Sequence, residues 1–174
     1  MRLTYKNFQP EIHQSVYVAD DAKVIGRVKI GQDSSIWFGT IIRADVNYIH
    51  IGSRTNIQDA SVVHVTTDTF PTIIGDEVTV GHRVTLHGCT VKNGCLIGIG
   101  SILLDGVEVG ENSLVAAGSL LTPGSKFPPQ SLIMGSPAKL KRRLEPAEVS
   151  GLAVFWKRYV DLKNEYLSHN TDTL

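Results

Sequence analysis

Several things are scarce in this chain of 174 residues. It has two cysteines, Cys89 and Cys95, which form neither a metal-binding CxxC pair nor a disulfide framework. Both are expected as free thiols in a reducing compartment. There is no excess of either charge, with 17 Lys and Arg against 17 Asp and Glu. That balance argues against a nucleic-acid binder driven by counterion release. No apolar run approaches membrane-spanning length, and the opening M-R-L-T-Y-K-N-F-Q-P lacks the apolar core of a signal peptide. The expectation is a cytoplasmic protein without membrane or nucleic-acid partners. At 42% hydrophobic and 20% charged residues, the composition suits one globular domain.

What is present is a period of six. Aliphatic residues stand at Val18, Val24, Ile30, Ile36 and Ile42, then at Ile51, Ile57 and Val63, then at Ile74, Val80 and Leu86. After one skipped residue the series resumes at Val91 and runs through Ile97, Leu103, Val109, Val115 and Leu121 to Phe127. Four places after every mark stands a small or β-branched residue, from Ala22 through Thr40, Ser61 and Val84 to Ser131. Only about a third of residues would qualify by ordinary usage, so the repeat is not a chance pattern. Between the two places Gly, Asn or Asp recurs, as at Gly39, Gly94, Gly100 and Asn112, and these residues tolerate the positive φ of a sharp corner.

Each hexad therefore reads as a short strand and a corner. Strand alternation turns its first and fifth residues inward and its second and sixth outward. Three such sides close a triangular prism of roughly six rungs, stacked about 4.8 Å apart. Its interior is too narrow for a ligand, so function must lie on the outside. Two interruptions break the period: three added residues around 47–49, and the segment Thr66–Thr72, read as an external loop. Pro137 ends the repeat. From Pro146 an amphipathic helix is predicted, with Leu152, Phe155, Tyr159, Leu162 and Tyr166 as the stripe that packs on the prism. The domain organisation is thus a β-helix over 1–143, a helix over 144–168 and a tail over 169–174.

Histidines 64, 82 and 87 lie within one stretch, and imidazole is a common metal ligand. If the Thr66–Thr72 loop adds no side, the hexads beginning at Ile42, Val63 and Leu86 share one side of the prism. Their outward second residues are Arg43, His64 and His87, so the two histidines become vertical neighbours. His82 falls at a corner of another side and cannot easily reach the same ion within one chain. The pattern predicts a site shared between subunits, with cyclic threefold packing making three of them.

The motifs R-A-D at Arg43 to Asp45, N-I-Q-D at Asn56 to Asp59, His64, G-H-x4-H-G at Gly81 to Gly88 and the ending G-S-P-A-K resemble the gamma-class carbonic anhydrases, especially their shorter bacterial relatives. The resemblance implies an all-β, left-handed parallel β-helix with the C-terminal helix packed along it. It implies a homotrimer in which His64 and His87 of one subunit and His82 of the next hold zinc, or iron or cobalt. The implied reaction is reversible hydration of carbon dioxide to bicarbonate by a metal-bound hydroxide. By the same resemblance Arg43 and Asp45 form an intersubunit ion pair beside the site, and Gln58 hydrogen-bonds the reacting water. Asn56 and Asp59 are its neighbours, and Tyr159 either reaches the pocket or simply packs. The chain also departs from the family. Val46 stands where the fast members carry a glutamate, the loop holds only Asp68, and Asp161 replaces an asparagine. Slow proton export is therefore expected. Other readings are a metal-dependent thioesterase or esterase, and a CoA-dependent hexapeptide acyltransferase using Lys139, Lys141, Arg142 and Arg143 for a phosphate, or a solvated basic turn at that place. A trimeric assembly module with a vestigial site is a further one.

Overall fold

The computed structural model describes residues 1–169, so the tail expected over 169–174 falls, beyond His169, outside the described residues. The chain winds into a parallel β-solenoid of about 7 turns, with one helix along it. Side chains from the period-six positions form three internal columns. Val18, Ile36, Ile57, Val80, Ile97, Val115 and Ile133 stack on the first side. Val24, Ile42, Val63, Leu86, Leu103 and Leu121 stack on the second. The third is Ile12, Ile30, Ile51, Ile74, Val91, Val109 and Phe127. Nearly all are fully buried, and each such side chain contributes roughly 1.5–3 kcal/mol relative to exposure.

The fifth-place hydroxyls also face inward, where an unpaired polar group would be costly. They are satisfied rung to rung. Ser34 Oγ donates to the Gly52 carbonyl at 2.7 Å, Thr55 Oγ1 to that of Gly75 at 2.7 Å, and Ser61 Oγ to that of Gly81 at 3.1 Å. Among the described residues no buried side-chain N or O lacks a partner.

Both interruptions of the period lie on the same flank. The added residues are absorbed within the long strand Ile41–Ile51, whose register against Lys23–Ile30 shifts between Gly26 and Val28. The segment after His64 leaves the prism as a small loop, closed by the Thr66–Phe70 bridge, and returns in the strand Thr72–Ile74 without adding a side. Asn47 joins the two, donating from Nδ2 to the Thr66 carbonyl at 3.0 Å.

The ends differ from the sequence expectation. Strands Arg2–Leu3 and Glu11–Ile12 extend the solenoid at its start, and Ser131–Gly135 extends it at its end, beyond the six rungs predicted. The segment read as a basic turn is a strand, Ala138–Arg143, paired antiparallel to Ser131–Gly135. It terminates the first side, because a parallel continuation would need another full turn of the prism.

The helix, Pro146–His169, docks on the first side. Glu148 reaches back to the Glu145 amide at 2.8 Å, satisfying a donor at the helix start. Leu152 is buried, Tyr159 and Leu162 pack on the core, and Tyr166 sits 5.2 Å from the Trp37 ring. Phe155, expected on the packed stripe, is 46% exposed. Phe155 shares a face with Leu162, seven residues on, which packs, so its exposure does not follow from the helical period. Lys163 is buried instead, its Nζ 3.0 Å from Asp33 Oδ1. No helix among the described residues is long and apolar enough to cross a membrane.

Candidate metal centre

Strand Val62–His64 pairs in parallel with Thr85–His87, so His64 and His87 are register partners on adjacent rungs. Their outward place in the hexads brings the rings together, with His64 Nδ1 3.2 Å from His87 Nε2. The remaining nitrogen of each ring is bound to a carboxylate. His64 Nε2 meets Asp45 Oδ1 at 3.0 Å, and His87 Nδ1 meets Asp105 Oδ1 at 2.7 Å. An ionised carboxylate only accepts, so those nitrogens carry the protons. Two bare lone pairs then face each other, an arrangement that calls for a cation between them, either a proton or a metal ion.

The spacing fits a metal. Two nitrogens each 2.0–2.1 Å from a tetrahedral zinc stand about 3.3 Å apart, close to the separation in this pair. Zinc, iron or cobalt would all accept such donors. Cys89, next to this pair in sequence, points inward. It is fully buried, and burial pushes its thiol up to about 12, so it offers no thiolate.

His82 stands elsewhere, at the corner after strand Thr79–Val80 of the first side. Its Nδ1 donates to Asp59 Oδ2 at 2.9 Å, which leaves Nε2 bare as well. The His82 side chain is 43% exposed, against 18% for His64 and 33% for His87. Among the described residues no three His, Cys, Asp or Glu side chains of one chain converge to hold an ion. The structure thus brings His64 and His87 together and keeps His82 apart.

The other predicted residues surround these three. Arg43 pairs with Asp45 within the same chain, through Nη1 and Oδ2. Burial opposes ionisation of Asp45, but the hydrogen bonds from His64 and Arg43 outweigh it and hold the carboxyl below its usual range. Gln58 is buried and donates from Nε2 to Asn56 Oδ1 at 3.0 Å, while Asn56 Nδ2 reaches Thr79 Oγ1 at 3.0 Å. Tyr159 meets Trp37 edge-on at 5.4 Å. Burial raises its hydroxyl pKa, and the nearby charge of Asp59 raises it further.

Comparison with known proteins identifies the family. A family model described as bacterial transferase hexapeptide (six repeats) matches residues 88–123. The carbonic anhydrase of Geobacillus kaustophilus is 46% identical over 93% of this chain and 88% of its own length. Gamma carbonic anhydrase 2 of Arabidopsis thaliana, a mitochondrial protein, is 44% identical over 93% of this chain, which spans 60% of that relative. The chain belongs to the gamma-class carbonic anhydrase-like family. The crystal structure of the BC4754 gene product of Bacillus cereus, which carries an acetyltransferase name, superposes with a TM-score of 0.93 at 42% identity, covering 96% of each chain.

Within this family member, one residue of the centre escaped the sequence reading. Asp105 lies two places after Leu103, the register partner of Leu86, and no motif surrounds it. One rung past His87 the count reaches Leu104, the residue before it.

Proposed function

We propose that the protein is a gamma-class carbonic anhydrase that interconverts carbon dioxide and bicarbonate at zinc centres between the subunits of a homotrimer. The observation that carries this reading is the facing pair His64 Nδ1 and His87 Nε2, 3.2 Å apart, with the other nitrogen of each ring on a carboxylate. Two ligands do not complete a zinc site, and the bare Nε2 of His82 is turned to another side of the prism. A neighbouring subunit supplies it in a cyclic assembly. When bound, the ion supplies the Lewis acidity that makes water a nucleophile near neutral pH.

The protein residues do the rest. Neutral imidazoles leave the charge of the ion undiminished. Asp45, Asp59 and Asp105 each fix one ring tautomer. Arg43 in turn orients Asp45. Gln58, its amide nitrogen held by Asn56, keeps its side-chain carbonyl for the reacting water. Val46 packs against the core and is no proton acceptor, so proton export falls to external buffer.

The acyltransferase reading rests on the fold and on the names of relatives. It leaves three histidines with three carboxylate partners unexplained, and Arg142 is already forked onto Glu148. The same centre would hydrolyse activated esters, which makes esterase activity a side reaction to assay rather than a separate site.

Subunit mixing tests the shared centre. His64→Ala and His82→Ala subunits should each be inactive alone. Co-assembled, they should regain zinc and carbon dioxide hydration at those interfaces that carry all three imidazoles. Verified hybrids that bind no zinc would place all ligands within one chain, or remove the site altogether.

A further inference from the structure

The loop that follows His64 is bracketed by two threonines, and each is tied to a histidine of the pair. Thr66 Oγ1 donates to Asp105 Oδ2 at 2.8 Å, while Asp105 Oδ1 accepts from His87 Nδ1 at 2.7 Å. At the other end Thr72 Oγ1 donates to the His64 carbonyl at 2.5 Å and accepts from the Gly88 amide at 2.9 Å. One short excursion therefore touches both strands that carry the facing imidazoles. Its own shape is closed by the Thr66–Phe70 bridge.

Asp105 can occupy its place because residue 88 is glycine. A β-carbon there would collide with Asp105 Oδ1. The adjacent backbone is also closed, with the Gly106 amide donating to the Gly88 carbonyl at 2.8 Å. Asp105 is thus held by Thr66 on one oxygen and holds His87 with the other.

We infer that Asp105 is a positioning residue, braced by Thr66, that keeps the proton of His87 on Nδ1 and turns its Nε2 toward His64. The Thr66–Thr72 loop serves the centre as a brace. This inference rests on the metal reading above for its consequence, because a ring locked in one tautomer is a better donor than one that must reorganise. The lock itself is a property of the metal-free protein and is testable without any metal.

The test uses the full-length protein labelled with nitrogen-15 and stripped of metal. Two-bond proton–nitrogen correlations report the protonated nitrogen of the His87 ring. The parent should show Nδ1–H alone. Asp105→Ala should show a mixture of both tautomers, and Asp105→Asn, whose carbonyl still accepts, should restore most of the Nδ1–H form. Zinc affinity, measured by competition with a chromophoric chelator, should fall about 10–100-fold in Asp105→Ala, with smaller losses in Asp105→Asn and in Thr66→Val. Should Asp105→Ala fail to fold, Asp105→Leu, which keeps roughly the size of the side chain but offers His87 no acceptor, takes its place. A parent tautomer pattern together with zinc affinity within twofold in the variant that lacks the acceptor overturns the positioning role. A parent that binds no zinc, yet shows the lock and loses it in Asp105→Ala, overturns the metal reading and leaves this one standing.

Discussion

Gly88 leaves open the space that the Asp105 carboxylate fills: a β-carbon on residue 88 would meet the oxygen that holds His87. Gly88 also has φ +59°, where a β-carbon is strained. Gly88→Ala is therefore expected to lose about 1–2 kcal/mol of stability from the backbone alone, and to weaken zinc binding as Asp105→Ala does. The double variant separates the two effects. With Asp105 already gone, adding Gly88→Ala should cost little further zinc affinity, while part of the stability loss persists because the new methyl also lies 2.8 Å from Phe70 Cβ. Calorimetry and chelator competition on the four proteins of this cycle check it. Strictly additive zinc losses would show that the glycine acts on the centre by another route.

The Lys163–Asp33 pair ties the helix to the prism and gives stability a defined pH dependence. The Lys163 hydrogen bond lowers the Asp33 pKa and outweighs burial, which acts against it. A carboxyl lowered on folding contributes stability that is fully present above its unfolded value of about 3.9. That contribution disappears as pH falls through the folded value. Asp33 is 39% exposed, so solvent screening limits the pair to about 1 kcal/mol. Lys163→Met, which keeps the buried stem, should lose about that much at pH 7 by urea denaturation. The difference from the parent should shrink on acidification below pH 4. A constant difference from pH 7 to pH 3 would assign the loss to packing.

Much of the site was readable because one period governs every column. Counting by six put His64 above His87, and the register pairs them. The same count separated His82 from His87, although they lie five apart in the chain. What the count could not supply was anything set by side-chain reach. Asp105 carries no motif, and its role depends on a rotamer aimed back one rung at His87. Phe155 fits the helical stripe and stays exposed, because the period gives the face a residue shares and not what the prism offers opposite it. The hairpin Ala138–Arg143 was hidden because a basic segment after a proline reads equally as a turn. The interruptions proved informative in themselves. Both lie on the flank that carries the facing histidines, joined by Asn47 and Thr66, so the places where the period fails adjoin the proposed centre.

Proton export should limit turnover. Val46 is packed against apolar neighbours, and the loop carries a single carboxylate, Asp68. Carbon dioxide hydration by zinc-loaded protein should therefore rise steeply with the concentration of an external buffer of pKa near 7, with kcat rather than kcat/KM responding. Replacing Val46 with Glu should lessen that dependence, at some cost in stability because the position is half-buried. Stopped-flow assays across a buffer series give the answer directly. Turnover in the parent that is fast and independent of buffer would mean that another group, not yet assigned, accepts the proton.

Tyr159 allows packing and chemistry to be separated on one residue. Its ring meets Trp37 edge-on at 5.4 Å, and Trp37 is itself buried among Tyr17, Phe38 and Tyr166. Trp37→Ala should release the helix at a cost of about 3–5 kcal/mol. Tyr159→Phe keeps the ring contact and should cost less than about 1 kcal/mol. The hydroxyl, however, lies within the influence of Asp59, the carboxylate that fixes His82. Tyr159→Phe is therefore expected to lower carbon dioxide hydration several-fold with zinc content unchanged. Unaltered turnover in a variant of unaltered stability would return Tyr159 to the role of a packing residue, and the edge contact with Trp37 would account for it fully.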